Sequence, residues 1–206
     1  MTGQQVKIMS RKTAIYQPVS YVDRLDWKPL FSTSKPIEVE LGTGDGSFLA
    51  QWAGLHPEHN FLGLERLLGR LRKVDRKISR LGLDNVRLIR LEAAYFVEYL
   101  LPPKSVSALH IYFPDPWPKR KQRKNRLINS RFVQATAAAL VPGGSAYLRT
   151  DDRDYFEQMA GVFGANPSFR LTDTPLDLQN VLTDFERGFH ARGIQTLRLA
   201  FVANDE

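Results

Sequence analysis

Glu38-Val-Glu-Leu-Gly-Thr-Gly-Asp-Gly46 reads as a strand that runs into a glycine turn, and the rest of the chain can be placed around it. Ile37, Val39 and Leu41 alternate along the strand, and Gly42, Gly44 and Gly46 follow at alternate positions. Without a Cβ, such residues let the backbone turn sharply and approach a ligand closely. Residues 47 to 55 then look helical. The spacing is G-x-G-x-G, not the G-x-G-x-x-G of dinucleotide sites. By itself it leaves both a dinucleotide site and a plain tight turn open.

Downstream, strands and helices alternate. Phe61 to Glu65 is a second strand, followed by an amphipathic helix with Leu67, Leu71, Val74, Ile78 and Leu81 on one face and Gly82 at its end. Val86 to Leu91 is a third strand, and residues 94 to 100 form a short helix stopped by Pro102 and Pro103. Val106 to Phe113 is a fourth strand. Residues 129 to 141 form a helix that Pro142-Gly143-Gly144 stops, and Ala146 to Thr150 is a fifth strand. Asp152 onward is helical again, and Gln195 to Val202 gives a last strand. This alternation predicts an α/β fold, a doubly wound, mostly parallel sheet with helices on both faces. Residues 36–206 form the domain, and residues 1–35 a partly ordered arm with weak periodicity. Such sheets bind ligands at the carboxyl ends of their strands, near the point where strand order reverses.

The composition narrows the function classes. The chain has 206 residues, 43% apolar and 25% charged, and no cysteine, which removes disulfides and thiolate metal sites. His56 and His59 flank Pro57 in a polar stretch and read as a solvated loop rather than a metal pair. The net charge of +7 and pI near 9.7 favour an anionic partner, nucleic acid being the commonest. No apolar run is long enough for a transmembrane helix, and no signal peptide is read at the N-terminus, so a cytoplasmic protein that avoids membranes is expected. Monomer and homodimer both stay open.

Candidate ligand-binding residues stand where the strands end. Glu65 closes the second strand, 23 positions after Gly42, where a carboxylate meets ribose hydroxyls in doubly wound folds. Glu92 closes the third strand, either reaching an adenine amino group or standing as a solvated charge. Glu40, inside the first strand, would face the cationic end of a cofactor, since a strand carboxylate is seldom there for packing. After the fourth strand comes Ile111-Tyr-Phe-Pro-Asp-Pro-Trp-Pro-Lys119, whose three prolines stiffen the segment and fix Asp115 and an aromatic ring in place. Lys119-Arg-Lys-Gln-Arg-Lys-Asn-Arg126 follows, with six cations in eight residues, suited to orienting a nucleic acid by its phosphates. A second basic surface lies on the helix after the second strand: Arg66, Arg70, Arg72, Lys73, Arg76, Lys77 and Arg80 against the single acid Asp75. That surface reads equally as a solvated face. Asp151 sits on the rim after the fifth strand, and Thr183-Asp-Phe-Glu186 reads either as a capping box or as a substrate contact.

At these residues the sequence resembles the bacterial tRNA (guanine-N7-)-methyltransferase family. The matching pieces are E-x-E-L-G-T-G-x-G at 38 to 46, F-L-G-L-E at 61 to 65, Y-F-P-D-P-W-P-K at 112 to 119 with its basic tail, L-R-T-D at 148 to 151 and T-D-F-E at 183 to 186. The resemblance implies a Rossmann-like class I methyltransferase fold, with S-adenosylmethionine as donor, S-adenosylhomocysteine as product, and a guanosine in the tRNA variable loop as target. It assigns Glu40, Gly42, Gly44, Glu65, Glu92 and Asp115 to the cofactor, with Asp115 also catalytic. Lys119, Asp151, Thr183, Asp184, Phe185 and Glu186 go to the substrate, and Lys121, Gln122, Arg123, Lys124, Asn125 and Arg126 to RNA. The family usually has Asp where this chain has Glu92, and tends toward a cation where it has Asn125.

Guanine N7 is a hydrogen-bond acceptor with an available lone pair and carries no proton in guanosine. Methylating it calls for alignment and electrostatics rather than a general base or a metal. On this reading Asp115 holds the guanine and favours its developing positive charge, while Asp151 and Glu186 accept hydrogen bonds from the guanine edge. Two other classes stand beside it: a non-enzymatic RNA-binding protein on the same scaffold, and a nicotinamide-dependent oxidoreductase. Acidic residues at every strand end argue against the first, and the glycine spacing against the second.

Overall fold

The computed structural model describes residues 13–204. Its centre is one seven-stranded sheet in the order β3-β2-β1-β4-β5-β7-β6. The strands are β1 (Ile37–Leu41), β2 (Asn60–Leu64), β3 (Val86–Ile89), β4 (Val106–Tyr112), β5 (Leu140–Thr150), β6 (Phe169–Thr172) and β7 (Leu197–Ala203). The pairings among β1 to β5 are parallel, and β7 runs antiparallel between β5 and β6. The helices are α1 (Ser47–Leu55), α2 (Leu68–Leu81), α3 (Ala93–Tyr95), α4 (Ser130–Ala139), α5 (Arg153–Gly164), α6 (Leu176–Asn180) and α7 (Asp184–His190). The doubly wound sheet expected from the alternation is therefore present. The chain steps outward from β1 to β3 and returns with β4 on the other side of β1. The loops after β1 and β4 thus face each other across the reversal, where such sheets take their ligands.

Strand periodicity splits the core in two. Ile37, Val39, Leu41, Leu109 and Ile111 point to the face that packs with Phe132, Val133, Tyr155, Met159 and Phe163 from α4 and α5. Phe48, Leu49, Trp52, Leu71, Val74 and Ile78 from α1 and α2 cover the opposite face. Burial of each such side chain contributes about 1.5–3 kcal/mol before ordering costs. Glu38, Glu40, His110, Tyr112 and Arg149 are also buried. The second face thus carries polar chemistry inside an apolar frame.

Several boundaries differ from the sequence reading. Pro142-Gly143-Gly144 does not separate a helix from a strand. Helix α4 ends at Ala139, where Lys104 and Ser105 N–H groups bond to the carbonyls of Ala138 and Ala139, and β5 begins at once. The register then jumps from Val106↔Leu140 to Ala108↔Ser145, so the Pro-Gly-Gly sits in a bulge of β5. The helix after β3 is a short α-turn that continues as a π turn over Phe96–Leu100. Parts of residues 13–35 dock onto the sheet, while the stretch around Val19–Val22 is exposed. The N–H of Tyr16 donates to Leu88 O, the N–H of Leu88 donates to Ala14 O, and Leu25, Leu30 and Phe31 join the core. This covers the open edge of β3, which would otherwise present unpaired backbone groups. The first twelve residues of the arm lie outside the described residues. No helix among the described residues is long and apolar enough to cross a membrane.

Candidate active site

The glycine turn after β1 is held by backbone bonds from its neighbour strand. Gly42 and Thr43 donate to Leu64 O at 2.9 and 2.8 Å. Gly44 N donates to Glu65 Oε2 at 3.2 Å, and Leu67 N donates to Glu65 Oε1 at 2.8 Å. Glu65 thus fastens the turn while each of its oxygens keeps a lone pair. Gly46 has φ +72°, and a Cβ there would lie 2.6 Å from Val74 Cγ1, so only glycine lets the turn meet α2. Gly42, at φ +84°, faces open space.

Glu40 lies directly behind this turn. It is buried, and its Oε2 has no hydrogen-bond partner. Burial pushes its carboxyl up to about 8; Asp45 and Glu65 add to the rise, and Arg149 only partly offsets it. A carboxyl in that position gains most from a cationic group, because that would offset its desolvation. Its neighbour Glu38 behaves oppositely. Burial alone would raise it, but His110, Trp52 and His59 outweigh that and hold it at about 2. His110 Nε2 and Trp52 Nε1 lie 2.7 and 2.8 Å from Glu38 Oε2. His59, read from the sequence as part of a solvated loop, is half-buried and bonded to Glu38 Oε1. Glu92 does not close β3, which ends at Ile89; it stands exposed three residues on and caps α3, accepting from Ala94 N and Tyr95 N at 3.0 and 2.7 Å.

After β4 the chain adopts two left-handed conformations without glycine, Phe113 at φ 51° and Trp117 at φ 44°. Each costs roughly 1–3 kcal/mol and persists only where its surroundings enforce it. Asp115 lies between them, exposed. Phe113 packs against Phe185 and Phe189 of α7, with ring centroids 6.2 and 5.4 Å apart. Asp184 N donates to Ser47 Oγ at 2.9 Å, and a Cβ on Gly44 would lie 3.9 Å from Phe185. The glycine turn, the proline-rich loop and α7 therefore converge at one rim. Asp151 stands exposed on the same rim after β5, and Lys119 leads exposed out of the proline-rich loop.

Residues 34–199 match the family model described as "Putative methyltransferase". A tRNA (guanine-N(7)-)-methyltransferase from Alkalilimnicola ehrlichii is 34% identical over 86% of this chain and 76% of that protein. One from Geobacter metallireducens is 38% identical over 68% of each. The chain belongs to the tRNA (guanine-N7-)-methyltransferase family. In structure it resembles the 16S rRNA methyltransferase KamB (TM-score 0.65, 19% identity, 86% of this chain and 92% of that one). It also resembles a 16S rRNA (adenine(1408)-N(1))-methyltransferase crystallised with its cosubstrate (TM-score 0.56, 18% identity, 88% and 92%). At these identities the two structures establish the class I methyltransferase fold.

Two family-matched residues, Arg126 and Glu186, turn inward. Arg126 is only 3% exposed; it donates to Pro116 O at 2.7 Å and Gln158 Oε1 at 2.7 Å, pairs with Asp154, and lies over the Tyr155 ring. It clamps the proline-rich loop to α5, a structural role the sequence reading did not give it. Glu186 is fully buried. Its Oε2 takes Arg149 at 2.7 Å and Thr183 N at 2.9 Å, and its Oε1 takes Arg198 at 2.8 Å. With Thr183 it completes the capping box of α7, and both its oxygens are engaged by protein groups. Thr183, 7% exposed, serves the same box. Asp184 and the half-exposed Phe185 remain on the surface. Of the basic run, Lys121, Arg123, Lys124 and Asn125 are exposed and Gln122 partly so, on a 3-10 turn over Arg120–Asn125. Arg123 pairs with Asp154 at 2.9 Å.

Sequence reasoning missed Arg149. Its guanidinium is buried over Tyr112 and also donates to Val181 O and Leu178 O. It ties the α6–α7 segment to the sheet, and an arginine in a strand beside an acidic capping box was the available signal.

Proposed function

We propose that the protein transfers a methyl group from S-adenosylmethionine to N7 of a guanosine in the variable loop of tRNA, in the cytoplasm. The observation that carries this reading is the unpartnered, buried Glu40 carboxyl behind the glycine turn, at the rim where the proline-rich loop and α7 converge.

The chain's residues fit the donor. Glu40 faces its cationic methionine end, Glu65 its ribose diol, and Glu92 its adenine amino group, while Gly42 and Gly44 let the backbone close in. The bound donor supplies a methyl group on a positively charged sulfur and leaves as S-adenosylhomocysteine. Guanine N7 attacks with its lone pair; the new carbon–nitrogen bond forms as the carbon–sulfur bond breaks, and positive charge moves onto the purine. No proton leaves, so the residues align and stabilise rather than abstract. Asp115, held by strained backbone on either side, favours the cationic purine and borders the donor. Asp151 and Lys119 meet the target nucleotide with Asp184, and Phe185 offers its exposed ring to a base. Lys121, Arg123 and Lys124 meet phosphates, with Gln122 and Asn125 beside them. The test is a tRNA transcript carrying 7-deazaguanosine at the target position, where a C–H replaces the attacking lone pair. Binding should persist and methyl transfer should stop. Continued transfer at the parent rate would move the reaction to another atom.

A further inference from the structure

We infer that the outward face of α2 is a second RNA-backbone contact, which grips the tRNA away from its target loop on the far side of the donor site from the Lys119–Asn125 run. The inference rests on the tRNA reading above. The buried residues of α2 are Leu71, Val74 and Ile78. Arg72, Lys73, Arg76 and Arg80 project from the other side, all exposed. Among the described residues none of these four has an ion-pair partner, nor do Arg66 and Arg70. Exposed arginines elsewhere divide. Arg123, Arg131, Arg153 and Arg187 are paired with Asp154, Glu98, Glu157 and Asp184. Arg24, Arg90, Arg120, Arg170 and Arg192 have no ion pair among the described residues, and none of these five shares an α-helix face with other free cations as the α2 row does.

An ordinary solvated helix intersperses acids at four-residue spacing. This one places cations four apart at Arg72–Arg76 and Arg76–Arg80, which disfavours the helix, and puts no acid in its first turn, where the helix dipole would favour one. Its one acid, Asp75, faces the arm, accepting from Thr13 Oγ1 and Ala14 N. Lys77 is drawn to Asp45 in the glycine turn. Arg80, in the last turn, suits the helix dipole, but Arg72, Lys73 and Arg76 bring the helix neither an ion pair nor a favourable place on the dipole.

Position supplies the partner. Helix α2 starts three residues after Glu65, at the active rim, on the β2–β3 side of the sheet. The other cationic segment follows β4, on the opposite side of β1 and its glycine turn. Helix α2 runs back from the rim toward the start of β3, so a polyanion large enough to cross the rim and continue along the outer side of α2 would touch both. From Arg72 to Arg80 the helix rises roughly 12 Å, the length of about three phosphates of one strand.

The test uses the full chain with Arg72→Gln, Lys73→Gln and Arg76→Gln together, none of which touches the donor site. Binding of a labelled, unmodified tRNA transcript is followed by anisotropy over a salt series, beside a hairpin that contains only the target loop. The slope of log affinity against log salt should fall by about two to three units for the tRNA and stay unchanged for the hairpin. KM for tRNA should rise on the order of tenfold while the single-turnover rate at saturating tRNA holds. Arg72→Lys with Arg76→Lys should keep the parent slope, since a phosphate needs only the charge. An unchanged tRNA slope in the glutamine variant overturns the inference, as does an equal loss on the hairpin. If the parent forms no methylated tRNA, the functional reading fails on its own, and the binding comparison still decides the role of α2.

Discussion

Replacing Glu40 by Gln keeps the shape of the side chain and removes its ionisation, with two separable consequences. The first is in stability. The carboxyl titrates near 8 in the folded protein against an ordinary value of 4.5. A raised folded-state value means that the folded chain binds the proton more tightly than the unfolded one. The associated stability is present in full below 4.5 and is lost as pH rises toward 8, at up to about 1.4 kcal/mol per pH unit. Without donor, Glu40→Gln should match the parent closely at pH 5 and exceed it by a few kcal/mol at pH 9. The second is in binding. If the donor's cation requires the carboxylate, parent affinity should climb roughly 30-fold from pH 5.5 to 7, a window in which the donor's own amino group stays charged. Glu40→Gln should bind weakly and without that slope. Thermal unfolding and calorimetric titration at matched pH values read the two effects. A stability difference between variant and parent that does not change from pH 5 to 9, with parallel binding profiles, would refute the assignment of a buried, uncompensated carboxyl behind the glycine turn.

Asp115→Asn should lower the single-turnover methylation rate at saturating donor and tRNA by tenfold or more, about 1.4 kcal/mol of barrier per tenfold, with little change in tRNA affinity; a rate within threefold of the parent removes its charge from catalysis. Glu186→Ala leaves Arg149 and Arg198 facing an empty site and should cost about 3–5 kcal/mol in denaturant unfolding, whereas a merely rim-exposed substrate contact would cost almost nothing. Lys121→Gln with Lys124→Gln should reduce the salt slope of tRNA binding by roughly one to two units and leave donor affinity alone. Gly46→Ala should destabilise by about 1–3 kcal/mol, because the methyl meets Val74 in a left-handed turn, and urea unfolding measures it.

Much of the fold was legible because its signals are local. A strand that ends in glycines, an amphipathic α2 closed by Gly82 in the left-handed conformation, and apolar β4 each announce themselves within a few residues. The bulge at Pro142-Gly143-Gly144 was not, since proline and glycine mark a break in regular structure without saying whether the chain leaves the sheet or kinks within it. The order of β6 and β7 and the docking of residues 13–35 depend on pairing partners far away in sequence. In the site, a carboxylate inside a strand, one at a strand end and one between prolines were enough to nominate Glu40, Glu65 and Asp115. They could not tell which members of a motif face outward. Arg126 ends a run of cations yet clamps a loop from inside, and Glu186 completes a capping box while neutralising two arginines. Both inward placements come from tertiary partners, Asp154 and Arg149, that lie 28 and 37 residues away.

The central claim is the identity of the methylated atom. Unmodified tRNA transcript, incubated with the protein and methyl-labelled S-adenosylmethionine, is digested to nucleosides and resolved by chromatography and mass spectrometry beside 1-methyl-, N2-methyl- and 7-methylguanosine. The label should appear in 7-methylguanosine, derived from the variable loop and absent when that guanosine is replaced. Label in any other nucleoside, or tRNA bound without label transfer, would contradict it.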